Sequence, residues 1–115
     1  MKTTVSIKKN KDFRFLYRRG KSSVSPLLAV YARRNKYAHN RIGITVSTKV
    51  GKAIVRNRVR RRIREAYRIN EESFGFGFDL VIVARVRAAE ASFRDIEKSL
   101  RKLLSGLGVS REAQE

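Results

Sequence analysis

Residues 49–68 combine the apolar spacing of an α-helix with a very high positive charge. The segment reads KVGKAIVRNRVRRRIREAYR and holds nine Lys or Arg residues against one acid, Glu65. A turn of 100° per residue places its apolar residues on one stripe and most of its arginines on the opposite face. Such a helix buries the stripe in a core and leaves a row of guanidinium groups facing outward. The pattern therefore predicts a folded basic helix over roughly 52–70, with Val55, Val59, Ile63, Ala66 and Tyr67 as its buried stripe.

One row of arginines on this helix has no acid among its members. Arg56, Arg60, Arg64 and Arg68 follow one another at i+4, and like charges at that spacing destabilise an isolated helix by about 0.2–0.5 kcal/mol per pair. The planar fork of arginine binds phosphate through two hydrogen bonds. Asn57 has two interpretations, an exposed helical side chain or a group that hydrogen-bonds a base edge or a 2′-hydroxyl. We expect this row to stay unneutralised within the chain and to bind nucleic acid, in preference to a membrane surface or to solvent alone.

The charge is concentrated in the first part of the chain. Of a net +18, residues 1–68 hold 21 Lys/Arg and two acids, whereas residues 69–115 hold 7 Lys/Arg and 8 acids. The polyanion-binding surface is therefore expected to come from residues 1–68. With 42% hydrophobic residues, the 115-residue chain is predicted to form a single RNA-binding domain over 1–115. Order is expected from about 7 to 106, with a frayed tail at 109–115.

Composition argues against chemistry by the protein's own side chains. The chain has no cysteine and one histidine, so thiolate and multi-imidazole metal sites are excluded. Its acids are scattered, so we predict no catalytic residue and no metal site. No apolar run reaches the roughly 20 residues of a membrane span, and the N-terminus lacks a signal-peptide stretch. We expect a soluble, cytoplasmic, monomeric protein without a membrane partner.

Capping and turn signals mark the first elements. A helix is predicted over about 10–19, with Asn10 as its N-cap and Gly20 as its stop. The polar stretch KSSVSP at 21–26 is typical of a turn.

Three strands and a last helix follow from the remaining pattern. The strands are predicted at 27–34, 41–47 and 79–85. Ser92 is expected to cap the last helix through Asp95, and Gly106 and Gly108 to end it. The order helix-strand-strand-helix-strand-helix favours an α+β two-layer sandwich, one sheet with helices mainly on one face.

Aromatic residues beside cations predict a second nucleic-acid surface. Phe13 and Tyr17 are one helical turn apart, and Tyr31 lies in the first predicted strand. Single strands are held by stacking on aromatic faces next to cations. The rings could instead pack the helix onto the sheet, which we favour for Phe13 and Leu16, whereas we favour a cleft for Tyr17 and Tyr31. The full candidate set is Phe13, Arg14, Tyr17, Arg18, Tyr31 and Arg33.

These motifs, in this order, resemble the protein subunit of bacterial ribonuclease P. IKKNKDF at 7–13 resembles the opening of that family, and 41–68 resembles its signature of strand, basic loop and Arg-Asn-Arg helix, here Arg56–Asn57–Arg58. DLVIVAR at 79–85 and the leucine pattern of the last helix resemble the C-terminal part of that family's sequence. The resemblance implies a fold like the second domain of ribosomal protein S5, with a left-handed crossover and a first strand region that is continuous or split.

The resemblance also implies a function. Proteins of this family join a catalytic RNA and help it to remove the 5′ leader of precursor tRNA, and the RNA with Mg²⁺ performs the hydrolysis. No cofactor is then bound by the protein alone. The partners are the RNA subunit and precursor tRNA. Rival interpretations are a ribosomal RNA-binding protein, a DNA-binding architectural protein and a self-sufficient nuclease.

Two sets of residues fall on the family's binding positions. Phe13, Tyr17 and Tyr31 match its central cleft, where the single-stranded leader lies. Tyr17 stands where phenylalanine is common, which keeps stacking, and Arg60 stands where lysine is frequent, which keeps charge. The set expected to meet the RNA subunit is Lys49, Lys52, Arg56, Asn57, Arg58, Arg60, Arg61, Arg62, Arg64 and Arg68.

Overall fold

The computed structural model describes residues 4–109 and shows five strands in one mixed sheet with three α-helices. The strands are β1 (Val5–Ser6), β2 (Lys21–Val24), β3 (Leu28–Arg34), β4 (Arg41–Thr45) and β5 (Phe78–Ala84). The helices are α1 (Asn10–Arg19), α2 (Ala53–Ile69) and α3 (Phe93–Gly106), and short 3₁₀ segments lie at Thr48–Val50, Glu71–Ser73 and Val86–Glu90. The strand order is β1-β4-β5-β3-β2, in which β4 runs parallel to β1 and β5 and the other neighbours are antiparallel.

The helices are divided unequally between the two faces of the sheet. Along β5, Leu80 and Ile82 point into the main core under α2 and α3, whereas Val81 packs with Leu16 of α1 on the other face. This arrangement confirms the predicted α+β fold with one sheet and helices mainly on one face. Because α2 joins the parallel neighbours β4 and β5, it forms the crossover. The left hand of that crossover stays a prediction.

Three local predictions are corrected by the structure. Residues 21–24 form the edge strand β2 instead of a turn, so the first strand region is split. An edge strand with exposed polar residues lacks the apolar alternation that would identify it. Lys9, not Asn10, is the N-cap of α1, and it makes no side-chain capping bond. Val109, assigned to the frayed tail, is fully buried, and residues 110–115 of that tail lie outside the described range.

The apolar stripe of α2 is buried as the spacing predicts. Val59, Ile63, Ala66 and Tyr67 are fully buried, and Val55 is half-buried against the same core. They pack with strand residues and with the inner face of α3, formed by Ile96, Leu100, Leu103 and Leu104. The predicted cap of α3 is confirmed, since the Asp95 backbone N–H donates to Ser92 Oγ at 3.1 Å.

The hydroxyl of Tyr67 anchors a buried polar network at the end of α2. It lies 2.9 Å from Thr4 Oγ1, and Asn40 Nδ2 donates to it at 3.1 Å. Asn40 also donates to the Gly75 carbonyl and accepts from the Phe78 N–H. Burial raises the pKa of the Tyr67 phenol in spite of these hydrogen bonds. The network links the residues just before β1 and β4, and the first residue of β5, to the last turn of α2. It therefore helps to set the orientation of the helix.

Arg41 joins the start of α1 to the face of the sheet that α1 covers, which is the face opposite α2 and α3. Its Nε and Nη2 donate to Asp79 at 2.8 and 2.6 Å, and its Nη1 lies 3.6 Å from Asp12. Burial disfavours the Asp79 carboxylate, but hydrogen bonds from Arg41 and Asn35 outweigh it and leave the pKa of Asp79 below its ordinary value. The hydrogen bond to Asp79 in turn raises the pKa of Arg41.

The Asp79–Arg41 pair makes stability depend on acid pH. Because the pKa of Asp79 is lower in the folded chain than in the unfolded one, its stabilisation is complete at neutral pH and disappears as pH falls below about 4. Asp79→Asn should lower the free energy of unfolding by about 1–3 kcal/mol at pH 7. Denaturant titrations of both proteins at pH 7 and pH 3 should show the difference shrinking at pH 3. Glu90→Gln, at an exposed position, serves as the control; a gap for Asp79→Asn that stays constant with pH would contradict this account.

Candidate nucleic-acid interface

The outer face of α2 carries most of the predicted arginine row. Asn57, Arg61, Arg64 and Arg68 are exposed and Arg60 is half-buried, and Lys49 and Lys52 are exposed in front of the helix. Asn57 Oδ1 accepts a hydrogen bond from Arg60 Nη1 at 3.2 Å, so the amide also steadies its neighbour. Within residues 4–109, no arginine of α2 other than Arg68 has a carboxylate within 4.0 Å. The row from Arg56 to Arg64 is therefore an unneutralised strip of positive charge.

Arg68 does not belong to that strip, and the expectation that it would is wrong. Its Nε and Nη2 donate to the two carboxylate oxygens of Glu65 at 2.9 and 2.5 Å. The hydrogen bond to Arg68 lowers the pKa of Glu65, and the same bond raises the pKa of Arg68. The single acid of the helix thus neutralises the last arginine of the row through an i, i+3 contact.

Arg58 and Arg62 are used inside the protein, on the flank of α2 that faces the chain before α3. Arg62 Nη1 donates to the Ala91 carbonyl at 2.6 Å, and Arg58 Nη2 donates to the Ala89 carbonyl at 3.3 Å. Both side chains are half-buried. They hold the 3₁₀ segment Val86–Glu90 and the start of α3 against α2, so part of the predicted RNA-binding set also has an internal role.

The aromatic residues of α1 and β3 form a shallow cleft on the other face of the sheet. The rings of Tyr17 and Tyr31 meet edge to face, with centroids 5.0 Å apart, and Tyr17 OH lies 3.2 Å from Thr45 Oγ1. Tyr17 is 41% exposed. The Phe13 ring lies on Gly43, where a β-carbon would come within 2.5 Å of the ring. Leu16 is buried and Phe13 half-buried, which agrees with the packing interpretation for these two residues.

α1 divides this face of the sheet into two sides, which the sequence could not show. With Leu16 pointing at the sheet, a turn of 100° per residue puts Arg14 and Tyr17 on one side of the helix and Phe15 and Arg19 on the other. Arg18 points away from the sheet, nearer to the Phe15 side. The contacts agree, because Tyr17 meets Tyr31 and Thr45, whereas the Arg33 guanidinium lies 4.4 Å from the centre of the Phe15 ring. Arg33 therefore does not join the predicted cleft set.

The arginine row and the aromatic cleft meet in a recess of about 210 Å³ beside β4. Its lining includes Arg60 and Arg64 of α2 together with Ile7, Phe13 and Gly43. The helical wheel gave the direction of Arg60 and Arg64 relative to the core, but not the element that they would face. The two predicted surfaces thus adjoin at Phe13, whereas Tyr17 and Tyr31 do not line the recess.

The side chains of this candidate interface have the chemistry suited to anion binding and to stacking. Among residues 4–109, no three His, Asp or Glu side chains cluster in a way that could hold a metal ion. No helix within the described range is both long enough and apolar enough to cross a membrane. What the geometry offers is a charged strip, a ring-lined cleft and a recess that joins them.

Comparison with known proteins points to one family. The family model described as "Ribonuclease P" matches residues 1–108. The chain is similar to the ribonuclease P protein component of Clostridioides difficile (strain 630), with 48% identity over 108 residues, 93% of this chain and 95% of that protein. It is 47% identical over 104 residues to that of Clostridium botulinum (strain 657 / Type Ba4), which covers 90% and 94% of the two chains.

Solved structures with a similar backbone carry the same name. The RNase P protein of Staphylococcus aureus superposes with a TM-score of 0.83 at 35% identity, over 90% of this chain and 95% of that one. That of Thermotoga maritima gives a TM-score of 0.81 at 30% identity, over 88% and 96%. The likeness therefore extends over nearly the whole chain in both sequence and fold.

Arg62 makes an internal hydrogen bond, whereas its neighbour Arg61 is exposed on the same helix, so the two arginines should differ in their effect on stability. Arg62→Ala removes a hydrogen bond to a backbone carbonyl and should lower the free energy of unfolding by about 1–2 kcal/mol. Arg61→Ala removes the same charge and should change it by less than about 0.5 kcal/mol. Equilibrium denaturation in urea measures both. Equal losses in the two variants would show that Arg62 has no internal role.

Proposed function

This chain belongs to the ribonuclease P protein family, and on that basis we propose that it assembles with a catalytic RNA and helps that RNA to remove the 5′ leader of precursor tRNA. The observation that carries the proposal is the strip from Arg56 to Arg64, which within residues 4–109 has no carboxylate partner and which adjoins an aromatic cleft. In this proposal the RNA holds the Mg²⁺ and performs the hydrolysis, and the protein supplies no catalytic residue. The protein acts in the cytoplasm as a monomer.

Docking on the catalytic RNA is assigned to the outer face of α2. Arg60, Arg61 and Arg64 present guanidinium groups on a rigid helix, so little conformational freedom is lost when phosphates bind. Lys49 and Lys52 extend the positive surface beyond the first turn, where the exposed N–H groups of the helix add partial positive charge. Asn57 is exposed beside these cations and, in this proposal, hydrogen-bonds a base edge or a 2′-hydroxyl.

Leader binding is assigned to the cleft of Tyr17 and Tyr31. Their edge-to-face contact fixes the two rings at 81° to one another and leaves Tyr17 exposed enough to stack on a base. Arg14 is exposed on the same side of α1, and Arg18 is exposed on the outer face of the helix; both would supply charge for the leader backbone. Stacking of this kind accepts any base, which suits a subunit that must process many precursors.

The recess between Phe13 and the pair Arg60–Arg64 supports a joint role for the two surfaces. Phosphates of the catalytic RNA and of the leader would approach one another there, where their repulsion is greatest. Guanidinium groups between the two strands lower that repulsion, and they do so more effectively than charges on the far side of the protein. The protein thereby raises the affinity of the RNA enzyme for its substrate without a part in bond breaking.

Two double variants should separate docking from leader binding. Arg60→Ala with Arg64→Ala removes two phosphate contacts and should weaken binding to the catalytic RNA by about tenfold or more. Tyr17→Ala with Tyr31→Ala removes stacking worth about 1–3 kcal/mol per base and should raise KM for precursor tRNA while assembly changes less than about twofold. Filter binding measures the first quantity and single-turnover cleavage the second. If both variants impair assembly alone, the division of roles is wrong.

The proposal also fixes the salt dependence of assembly. If about six to eight phosphates are neutralised, the logarithm of the association constant should fall with the logarithm of salt concentration with a slope near −4 to −6. The Arg60→Ala, Arg64→Ala variant should show a slope smaller in magnitude by about 1.4–1.8, since two contacts are gone. Titrations at several KCl concentrations give both slopes. A wild-type slope near zero would exclude electrostatic docking.

A further inference from the structure

A second basic recess lies on the side of α1 away from Tyr17. It has a volume of about 340 Å³ and sits where β2 begins, β3 ends and the chain leaves α3. Its cationic lining is Arg19, Lys21, Arg33 and Arg34, and all four side chains are exposed. Apart from Arg33, none of these residues belongs to the two surfaces predicted from the sequence. We call it the β2-edge recess.

Two of the four cations are held in place by aromatic rings. The Arg33 guanidinium lies 4.4 Å from the centre of the Phe15 ring, and the Arg34 guanidinium lies 5.2 Å from that of Phe78. A guanidinium held over a ring keeps its N–H edge free for an anion and loses less freedom when one binds. Phe15 does not line the recess itself but adjoins it through Arg33, and it remains 44% exposed, which leaves room for a base beside the charge.

The acids near the β2-edge recess are already engaged elsewhere. Within residues 4–109, none of the four cations has a carboxylate within 4.0 Å. Asp79 lies opposite Arg33 in the strand register, but Arg41 and Asn35 occupy its oxygens. Asp12, on the same side of α1, is also directed at Arg41. Arg33 contributes to lowering the pKa of Asp79, so that carboxylate partly offsets its charge, whereas no ion pair within residues 4–109 involves Arg19, Lys21 or Arg34. The recess therefore keeps a net positive charge.

We propose that the β2-edge recess binds the phosphodiester backbone of single-stranded RNA, with one base against Phe15, as a site separate from the Tyr17–Tyr31 cleft. The four cations suit one or two phosphates, and a partly exposed ring beside them suits an unpaired base better than a stacked duplex. The recess lining includes Ala32, Phe78 and Leu107, which pack with the core on the α3 side of the sheet, whereas the cleft lies on the α1 side, so one nucleotide cannot occupy both. The site does not depend on whether the cleft holds a leader, and it would let the protein hold a second RNA segment.

The test follows both sites in the same sample of full-length ¹⁵N-labelled protein titrated with a single-stranded six-nucleotide RNA. Amide signals of Lys21, Arg34 and Gly108 report the recess, and those of Gly43 and Thr45 report the cleft. Saturable shifts are expected in both groups. Arg19→Ala with Lys21→Ala should weaken binding at the Arg34 and Gly108 signals by about tenfold and leave the cleft signals unchanged. Lys98→Ala with Arg101→Ala removes the same charge from exposed positions of α3 and should change neither.

Three results would overturn the inference. The first is an absence of shifts at Lys21, Arg34 and Gly108 in the wild-type protein, a result that needs no variant to fold. The second is an equal loss in the α3 control, which would indicate general electrostatic attraction. The third is that inorganic phosphate, at a concentration equal to that of the RNA phosphate groups, produces the same recess shifts with the same affinity. That result would show that the site binds any phosphate anion and does not recognise RNA. Precursor cleavage by the reconstituted RNA–protein complex should stay within about twofold for the recess variant, so this test is independent of the proposed function.

Discussion

The packing of α2 on the sheet and on α3 is the contact on which the rest of this structure depends. Val59, Ile63, Ala66 and Tyr67 are withdrawn from water on one side of the helix, and each fully buried large side chain stabilises the fold by about 1.5–3 kcal/mol. The hydroxyl of Tyr67 then fixes the end of the helix through Thr4 and Asn40. Repulsion among the arginines opposes this helix, but at a few tenths of a kcal/mol per pair it is much the smaller effect. A row of like charges can therefore be held in order without a ligand.

The arginines of α2 divide into classes that differ in what their heads contact. Arg58 and Arg62 donate to backbone carbonyls before α3, and Arg68 pairs with Glu65. Arg60 and Arg64 face the recess shared with Phe13. One sequence pattern thus supplies both internal hydrogen bonds and a charged exterior. A loss of RNA binding in an arginine variant of this helix has a direct interpretation only where the free protein does not use that side chain.

α1 gives the opposite face of the sheet two chemically distinct sides. On one side, Tyr17 and Tyr31 form an aromatic cleft whose polar contact is to Thr45. On the other, Arg33 is stacked on Phe15 beside the β2-edge recess. Asp12 and Arg41 hold the helix across the strands and keep the two sides apart. A helix that crosses a sheet in this way lets 115 residues present several positively charged surfaces at once.

The sequence by itself determined the three α-helices, the strands β3, β4 and β5, the buried stripe of α2 and the cap at Ser92, and the resemblance of its motifs indicated the family. The elements, the stripe and the cap follow from local spacing and composition, which act over a few residues. Only the tertiary structure decided that Arg62 binds Ala91, that Arg33 lies with Phe15 and not with Tyr17, and that Arg60 shares a recess with Phe13. The sequence did not predict β1 and β2, because neither segment has the apolar pattern of a strand. They are strands only because they pair with β4 and β3. Contacts between residues far apart in sequence depend on how whole elements pack, and no periodicity along one segment contains that information.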